Sequence, residues 1–166
     1  MTIKVWEKAF DLLMTNEGGY VNDKQDSGGE TKYGISKKTY PDVYIPALTL
    51  WQAKEIYRRD YWDACKCDYL PDALSVSVFD FAVNSSVKQA VKLLQRSLGI
   101  KDDGIMGNQT IGACNSCNIR KVLEDYAERK LDFYVKVVER NPKKKKFFDG
   151  WTNRVDKTQK VCEQLC

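Results

Sequence analysis

The sequence predicts an all-α fold that contains at most a small β-hairpin. Three observations lead to this prediction: apolar residues recur at helical spacing, capping residues precede several of these segments, and one glycine-rich stretch interrupts them. The chain has 166 residues, of which 43% are hydrophobic and 30% are charged. This composition is ordinary for a globular domain, and a chain of this length buries roughly 70% of its surface on folding.

The first half of the chain is expected to form three helices. The first is amphipathic, the second begins with a capping box formed by Thr49 and Gln52, and the third is apolar almost all round and therefore buried; they cover residues 3–15, 49–61 and 72–84. Between the first two lies a stretch rich in glycine, asparagine and aspartate, residues 17–35, which is typical of turns and a short hairpin.

The second half is expected to be entirely helical. Ser86 and Gln89 form a second capping pattern, and Gly99 ends the helix that follows them. Pro142 separates the last two helices. The expected helices of this half cover residues 86–98, 109–113, 119–140 and 148–164.

Charge and composition exclude several classes of function. The net charge is only +4, and the one dense basic cluster, Lys143 to Lys146, is typical of a solvated loop, so no nucleic-acid partner is expected. The sequence contains no histidine, which excludes Ser-His and Cys-His catalysis. No apolar run is long enough for membrane insertion, and the charged N-terminal residues do not resemble a signal peptide, so synthesis in the cytoplasm is expected.

The six cysteines leave three interpretations open. They occur as a Cys-x-Cys pair, a Cys-x-x-Cys pair and a pair four residues apart: Cys65 and Cys67, Cys114 and Cys117, Cys162 and Cys166. They can be free thiols, disulfides formed after export, or ligands of a structural zinc ion. A bond between Cys162 and Cys166 is not expected, because their positions in one helix suit disulfide geometry poorly.

The glycine-rich stretch carries the candidate chemistry. Glu17 stands where the first helix ends, and the helix dipole together with partial burial is expected to raise its pKa, as protonation of a glycosidic oxygen requires. Asp26 is the candidate second carboxylate, and Thr31 is placed to bind the attacking water. We expect the two carboxyl groups to lie about 6.5–9.5 Å apart, the spacing of inverting glycosidases.

The glycine-rich stretch contains a distinctive motif: Glu17-Gly-Gly-Tyr20, Asn22-Asp23, Asp26, Gly28-Gly29, Thr31 and Gly34-Ile35. This motif resembles the glycoside hydrolase family 108 N-acetylmuramidases, the phage-type endolysins and secretion-linked muramidases. The Glu-x8-Asp spacing followed by Thr is also similar to the catalytic trio of T-even phage lysozymes. The resemblance implies a lysozyme-like helical fold in which Glu17 is catalytic.

The resemblance extends along the chain. The segments 79–85 and 94–99 look like the central helices of the same family, and 103–110 is similar to its peptidoglycan-binding lobe. It implies a catalytic lobe over residues 1–84 and a helical peptidoglycan-binding lobe over residues 85–166, packed as one unit.

Four further residues are candidates for substrate binding, because aromatic faces and amide groups commonly line polysaccharide clefts: Tyr20, Tyr33, Trp62 and Asn84. Core packing is the alternative interpretation for Trp62, and helix capping is the alternative for Asn84.

The expected activity is hydrolysis of the β-1,4 bond between N-acetylmuramic acid and N-acetylglucosamine, without a cofactor or metal ion. The expected partner is bacterial peptidoglycan, reached as a monomer with the help of a holin or a secretion system. A lytic transglycosylase and a non-enzymatic peptidoglycan-binding or secretion-accessory protein remain as alternatives.

Overall fold

The computed structural model describes residues 3–17, 19–22 and 29–166. Within these ranges the chain forms seven α-helices: α1 (Ile3–Met14), α2 (Leu50–Tyr57), α3 (Asp72–Asn84), α4 (Val87–Leu98), α5 (Asn108–Ser116), α6 (Ile119–Arg140) and α7 (Phe148–Glu163). The same ranges contain one small antiparallel sheet of three strands: β1 (Val21–Asn22), β2 (Glu30–Lys32) and β3 (Ile35–Ser36). The predicted fold class is confirmed.

Helix α3 is the centre of the molecule. Every residue from Ala73 to Ala82 is buried, and the helix packs against α1, α4, α6 and α7. One side of α3 contributes Phe79 to an aromatic cluster with Trp6 and Trp62, whose ring centroids lie 5.2–5.6 Å apart. The nearly continuous apolar pattern that predicted a buried helix therefore reflects contact with neighbours on all sides.

The helix caps follow the prediction. Thr49 and Gln52 form the complete capping box of α2, the Ser86 hydroxyl accepts a hydrogen bond from the Gln89 backbone N–H, and Gly99 ends α4 in the left-handed conformation. The second helix ends earlier than predicted, at Tyr57, and the chain continues as a wider π-helical turn, Arg58–Asp63. In this turn Arg58 pairs with both Asp63 and Asp68. Helix α5 is longer than predicted.

All six cysteines are free in this structure. Four of them, Cys65, Cys67, Cys114 and Cys162, are fully buried and belong to the hydrophobic core. Burial raises the pKa of the Cys114 and Cys162 thiols to about 12, so both stay protonated at neutral pH. Among the described residues, no group of His, Cys, Asp or Glu side chains is arranged to hold a metal ion.

No helix in the described ranges is both long and apolar enough to cross a membrane.

Candidate active site

Glu17 lies one turn beyond the end of α1. The backbone N–H groups of Thr15 and Asn16 still bond to carbonyls of the helix, and the chain then leaves it at Glu17. The Glu17 side chain is only 21% exposed, so its carboxyl group points largely into the protein. The predicted position of Glu17 at the helix end is therefore correct, and the surrounding residues determine its chemistry.

A tight hairpin turn covers the Glu17 carboxyl group. Tyr33 and Gly34 connect β2 to β3, and both have positive φ angles, 53° and 79°, as a type I′ turn requires. A Cβ atom on Gly34 would lie 2.6 Å from Glu17 Oε2 and would also collide with the Tyr57 hydroxyl. The same hydroxyl donates a 2.7 Å hydrogen bond to the Tyr33 carbonyl, which fixes the turn. Glycine is therefore required at position 34 for both conformation and space.

We predict that Gly34→Ala misplaces Glu17 and lowers activity by about 10- to 100-fold, since displacements of 1 Å in active sites have effects of this order. The left-handed backbone should cost roughly 1–2 kcal/mol of stability in addition. Gly99→Ala is the matched control, because Gly99 has a φ of +70° but open space around its missing Cβ. The control should lose stability and keep its activity; equal activity loss in both variants would contradict this role of Gly34.

A buried ion pair lies behind Glu17. Arg154 of α7 donates two hydrogen bonds to Asp80 of α3, Nε to Oδ2 and Nη2 to Oδ1, each 3.1 Å long. Asp80 also accepts a 3.1 Å bond from the Thr158 hydroxyl. The Arg154 Nη1 atom lies 3.7 Å from Glu17 Oε1, so this contact is longer and weaker than the pair with Asp80. The arginine is thus held mainly by Asp80 while it faces Glu17.

The surroundings of Glu17 shift the pKa of its carboxyl group. Burial raises the pKa of Glu17 above its ordinary value, Arg154 opposes this, and the negative charge of Asp80 raises the pKa further. Burial is the largest of the three effects, so the pKa stays raised although Arg154 lowers it. A carboxyl group with a raised pKa keeps its proton to a higher pH than an exposed glutamate does, which suits a proton donor.

Comparison with known proteins identifies the family. Residues 10–86 match the model of the family described as Glycosyl hydrolase 108, and residues 89–156 match the family described as Predicted Peptidoglycan domain. The chain therefore contains a glycoside hydrolase family 108 domain. It is also similar to the solved structure of SagA from Brucella abortus, with 28% sequence identity and a TM-score of 0.86 over 99% of this chain and 97% of that one. No curated protein matches the chain significantly.

The family 108 domain and the peptidoglycan domain together support a glycoside hydrolase that acts on peptidoglycan at the cell wall. The resemblance predicted from the Glu17 motif is confirmed, as is the expectation of peptidoglycan as the partner. The buried carboxyl group lies within the matched hydrolase segment.

The structure of this family 108 hydrolase brings some of the predicted site residues to the same small sheet. Thr31 occupies the middle strand, half-buried and paired with Val21 and Ser36. Tyr20 is 46% exposed and donates a 2.5 Å hydrogen bond from its hydroxyl group to Glu30. Tyr33 forms the hairpin turn that covers Glu17. Asp26 lies outside the described residues, so the predicted carboxyl separation remains a prediction.

The other two predicted substrate contacts have different surroundings. Trp62 is fully buried among Trp6 and Phe79, and its indole N–H donates a 2.8 Å bond to Asp68. It presents no face to a sugar, so the predicted contact is corrected: Trp62 is a core residue. Asn84 ends α3.

The Asn84 side chain joins the network behind Glu17. Its Oδ1 accepts a 3.2 Å bond from Arg154, and its Nδ2 donates a 2.5 Å bond to the Tyr134 hydroxyl. These bonds are made to α6 and α7 and do not cap a neighbouring helix. Asn84 therefore supports the position of Arg154.

Sequence reasoning missed Asp80, Arg154 and Tyr57. One signal pointed to the first of them: Asp80 lies in the middle of an almost wholly apolar helix. A carboxylate buried there needs a cationic partner, because an unpaired buried charge is very costly. No local pattern in the sequence indicates that this partner is Arg154, which lies 74 residues further along the chain.

Proposed function

We propose that this family 108 hydrolase is an N-acetylmuramidase that cleaves the β-1,4 bond between N-acetylmuramic acid and N-acetylglucosamine. The observation that carries the proposal is the largely buried Glu17 carboxyl group, whose raised pKa suits a general acid. In the proposed reaction Glu17 donates its proton to the glycosidic oxygen, which allows the leaving sugar to depart as an alcohol.

Two further residues have proposed roles in this reaction. Asp26 stabilises the oxocarbenium-like transition state or directs water, and Thr31 binds the attacking water. A separation of about 6.5–9.5 Å between the Glu17 and Asp26 carboxyl groups would leave room for that water and give inversion. Tyr20 is proposed to bind substrate, because its ring is exposed beside the motif. Tyr33 and Asn84 are also proposed to bind substrate, close to Glu17.

The proposed organisation divides the chain at residue 84. Residues 1–84 form the catalytic lobe, and residues 85–166 form the lobe that binds peptidoglycan. We propose that the protein acts as a monomer and reaches the cell wall through a holin or a secretion system.

Mass spectrometry of the products from purified sacculi tests the proposal. A muramidase creates new reducing ends on N-acetylmuramic acid. A lytic transglycosylase instead leaves 1,6-anhydro ends, because a substrate hydroxyl replaces water. Anhydro ends, or reducing ends on N-acetylglucosamine, would contradict the proposed activity, and sacculi that are bound but never cleaved would favour a non-enzymatic role.

A further inference from the structure

A groove with exposed aromatic walls lies on the surface of the N-terminal half. Tyr44 and Trp51 are 71% and 69% exposed, while Leu48 and Ile56 at the groove are buried. Large aromatic side chains that remain exposed beside an apolar floor mark binding surfaces more often than single exposed residues do. Nothing in the proposed chemistry of Glu17 uses this groove.

The groove is built on rigid elements. Tyr44 precedes a short 3-10 helix, Ile45–Ala47, and Trp51 lies in the first turn of α2, which the capping box at Thr49 holds in place. The 3-10 helix packs on strand β2, where Lys32 Nζ donates a 3.1 Å bond to the Pro46 carbonyl. Both aromatic side chains are therefore attached to backbone whose conformation is fixed.

Polar groups complete the groove. Gln52, Glu55 and Arg59 line it together with the apolar residues, and Arg59 pairs with the neighbouring Asp60 at 2.7 Å. The charges of Glu55 and Arg59 are opposite, so the lining carries no marked excess of either sign. The lining therefore does not select a ligand by its charge, and it suits a ligand with both an apolar face and hydrogen-bonding edges.

We infer that the groove formed by Tyr44, Trp51 and their polar neighbours binds the glycan strand of peptidoglycan outside the cleavage site, an inference that rests on the proposed glycan substrate. A pyranose ring packs its C–H face on an aromatic ring, and its hydroxyl and acetamido groups reach polar side chains at the edges. The 3-10 helix that forms part of the groove packs against β2, the β-strand that carries Thr31. A glycan strand bound in the groove extends the contact with substrate beyond the reacting bond.

A protein partner fits this surface less well. A stable protein interface engages about 20–30 residues on each side, whereas nine residues line the groove. Two exposed rings in a lining that also contains polar side chains match a repeating sugar chain better than the continuous apolar centre of a protein interface does. A second copy of the chain is the competing occupant, and the experiment distinguishes it.

Trp51 provides the spectroscopic readout. It is 69% exposed, whereas Trp6 and Trp62 are buried and Trp151 stacks on Tyr134 with centroids 4.8 Å apart. The experiment uses the full chain with Glu17→Gln, so that binding is measured without cleavage. The probes are β-1,4-linked N-acetylglucosamine oligomers and peptide-free glycan strands, added while tryptophan fluorescence and binding heat are recorded.

We expect the oligomers to change the fluorescence of Trp51. The substitutions Trp51→Ala and Tyr44→Ala should each weaken binding of the glycan strands by about fivefold, the scale of one aromatic contact. Trp51→Phe should restore part of the affinity, since it keeps an aromatic face. Tyr69→Ala is the matched control, because Tyr69 is also an exposed tyrosine, 66% accessible, but lies away from the groove. It should bind like the parent.

Three outcomes would overturn the inference. They are an absence of binding to either probe, equal binding by the Trp51→Ala variant and its parent, and a dimer in light scattering that Trp51→Ala dissociates. The last outcome would assign the groove to a second copy of the chain. Failure of the proposed muramidase activity is a separate result, because it appears in the cleavage products and leaves glycan binding through Trp51 measurable.

Discussion

Glu17→Gln is expected to lower the rate of peptidoglycan cleavage by at least about 100-fold, the usual contribution of general-acid catalysis. Glutamine preserves the size of the side chain and its fit beneath Gly34, but it has no proton to donate to the leaving oxygen. The measurement is the loss of turbidity of purified sacculi, followed together with the circular dichroism spectrum and melting temperature of the variant.

Glu124→Gln is the matched control for this variant. Glu124 is exposed on α6, so the same substitution removes a charge without touching the candidate site. It should retain parental activity. A folded Glu17→Gln variant that lyses sacculi at the parental rate would exclude Glu17 as the acid.

Asp80→Asn is expected to have the largest effect on stability. Asp80 and Arg154 form a buried pair, with side chains 7% and 11% exposed. Removing one partner of a buried pair leaves the other charge uncompensated, which typically costs about 3–5 kcal/mol of the free energy of unfolding. Denaturant unfolding measures this cost directly.

The same substitution should change the pH dependence of cleavage. Glu17 must be protonated to act, so activity falls as the pH rises through its pKa. With Asp80 neutral, the charge of Arg154 acts on Glu17 without opposition and lowers that pKa. The alkaline side of the pH profile of kcat/KM should therefore move to lower pH.

Asp132→Asn provides the comparison for both measurements. Asp132 pairs with Lys136 at 2.9 Å, but the two side chains are 61% and 59% exposed. An exposed pair of this kind contributes only about 0.3–0.5 kcal/mol. If Asp80→Asn destabilises no more than this control and leaves the pH profile in place, the buried pair does not have the role described for it.

Local patterns in the sequence were sufficient for most of the helical framework. Helix α3 was predicted with its correct bounds, because a segment with apolar residues on every side can only be buried. The start of α2 at Thr49 and the end of α4 at Gly99 were predicted equally well, because caps satisfy backbone groups through neighbours only a few residues away. The π-helical turn after Tyr57 was not predicted, because it accompanies ion pairs of Arg58 that reach as far as Asp68.

The candidate site divides in the same way. By itself, the sequence determined the family, the all-α class and the place of Glu17 at a helix end beside a glycine-rich turn, because each of these depends on residues that are close along the chain. Only the tertiary structure decided that Asp80 and Arg154 stand behind Glu17 and that Trp62 is core. Pairing of buried charges and burial of an aromatic ring depend on elements that meet only after the chain has folded, so no local pattern could specify them.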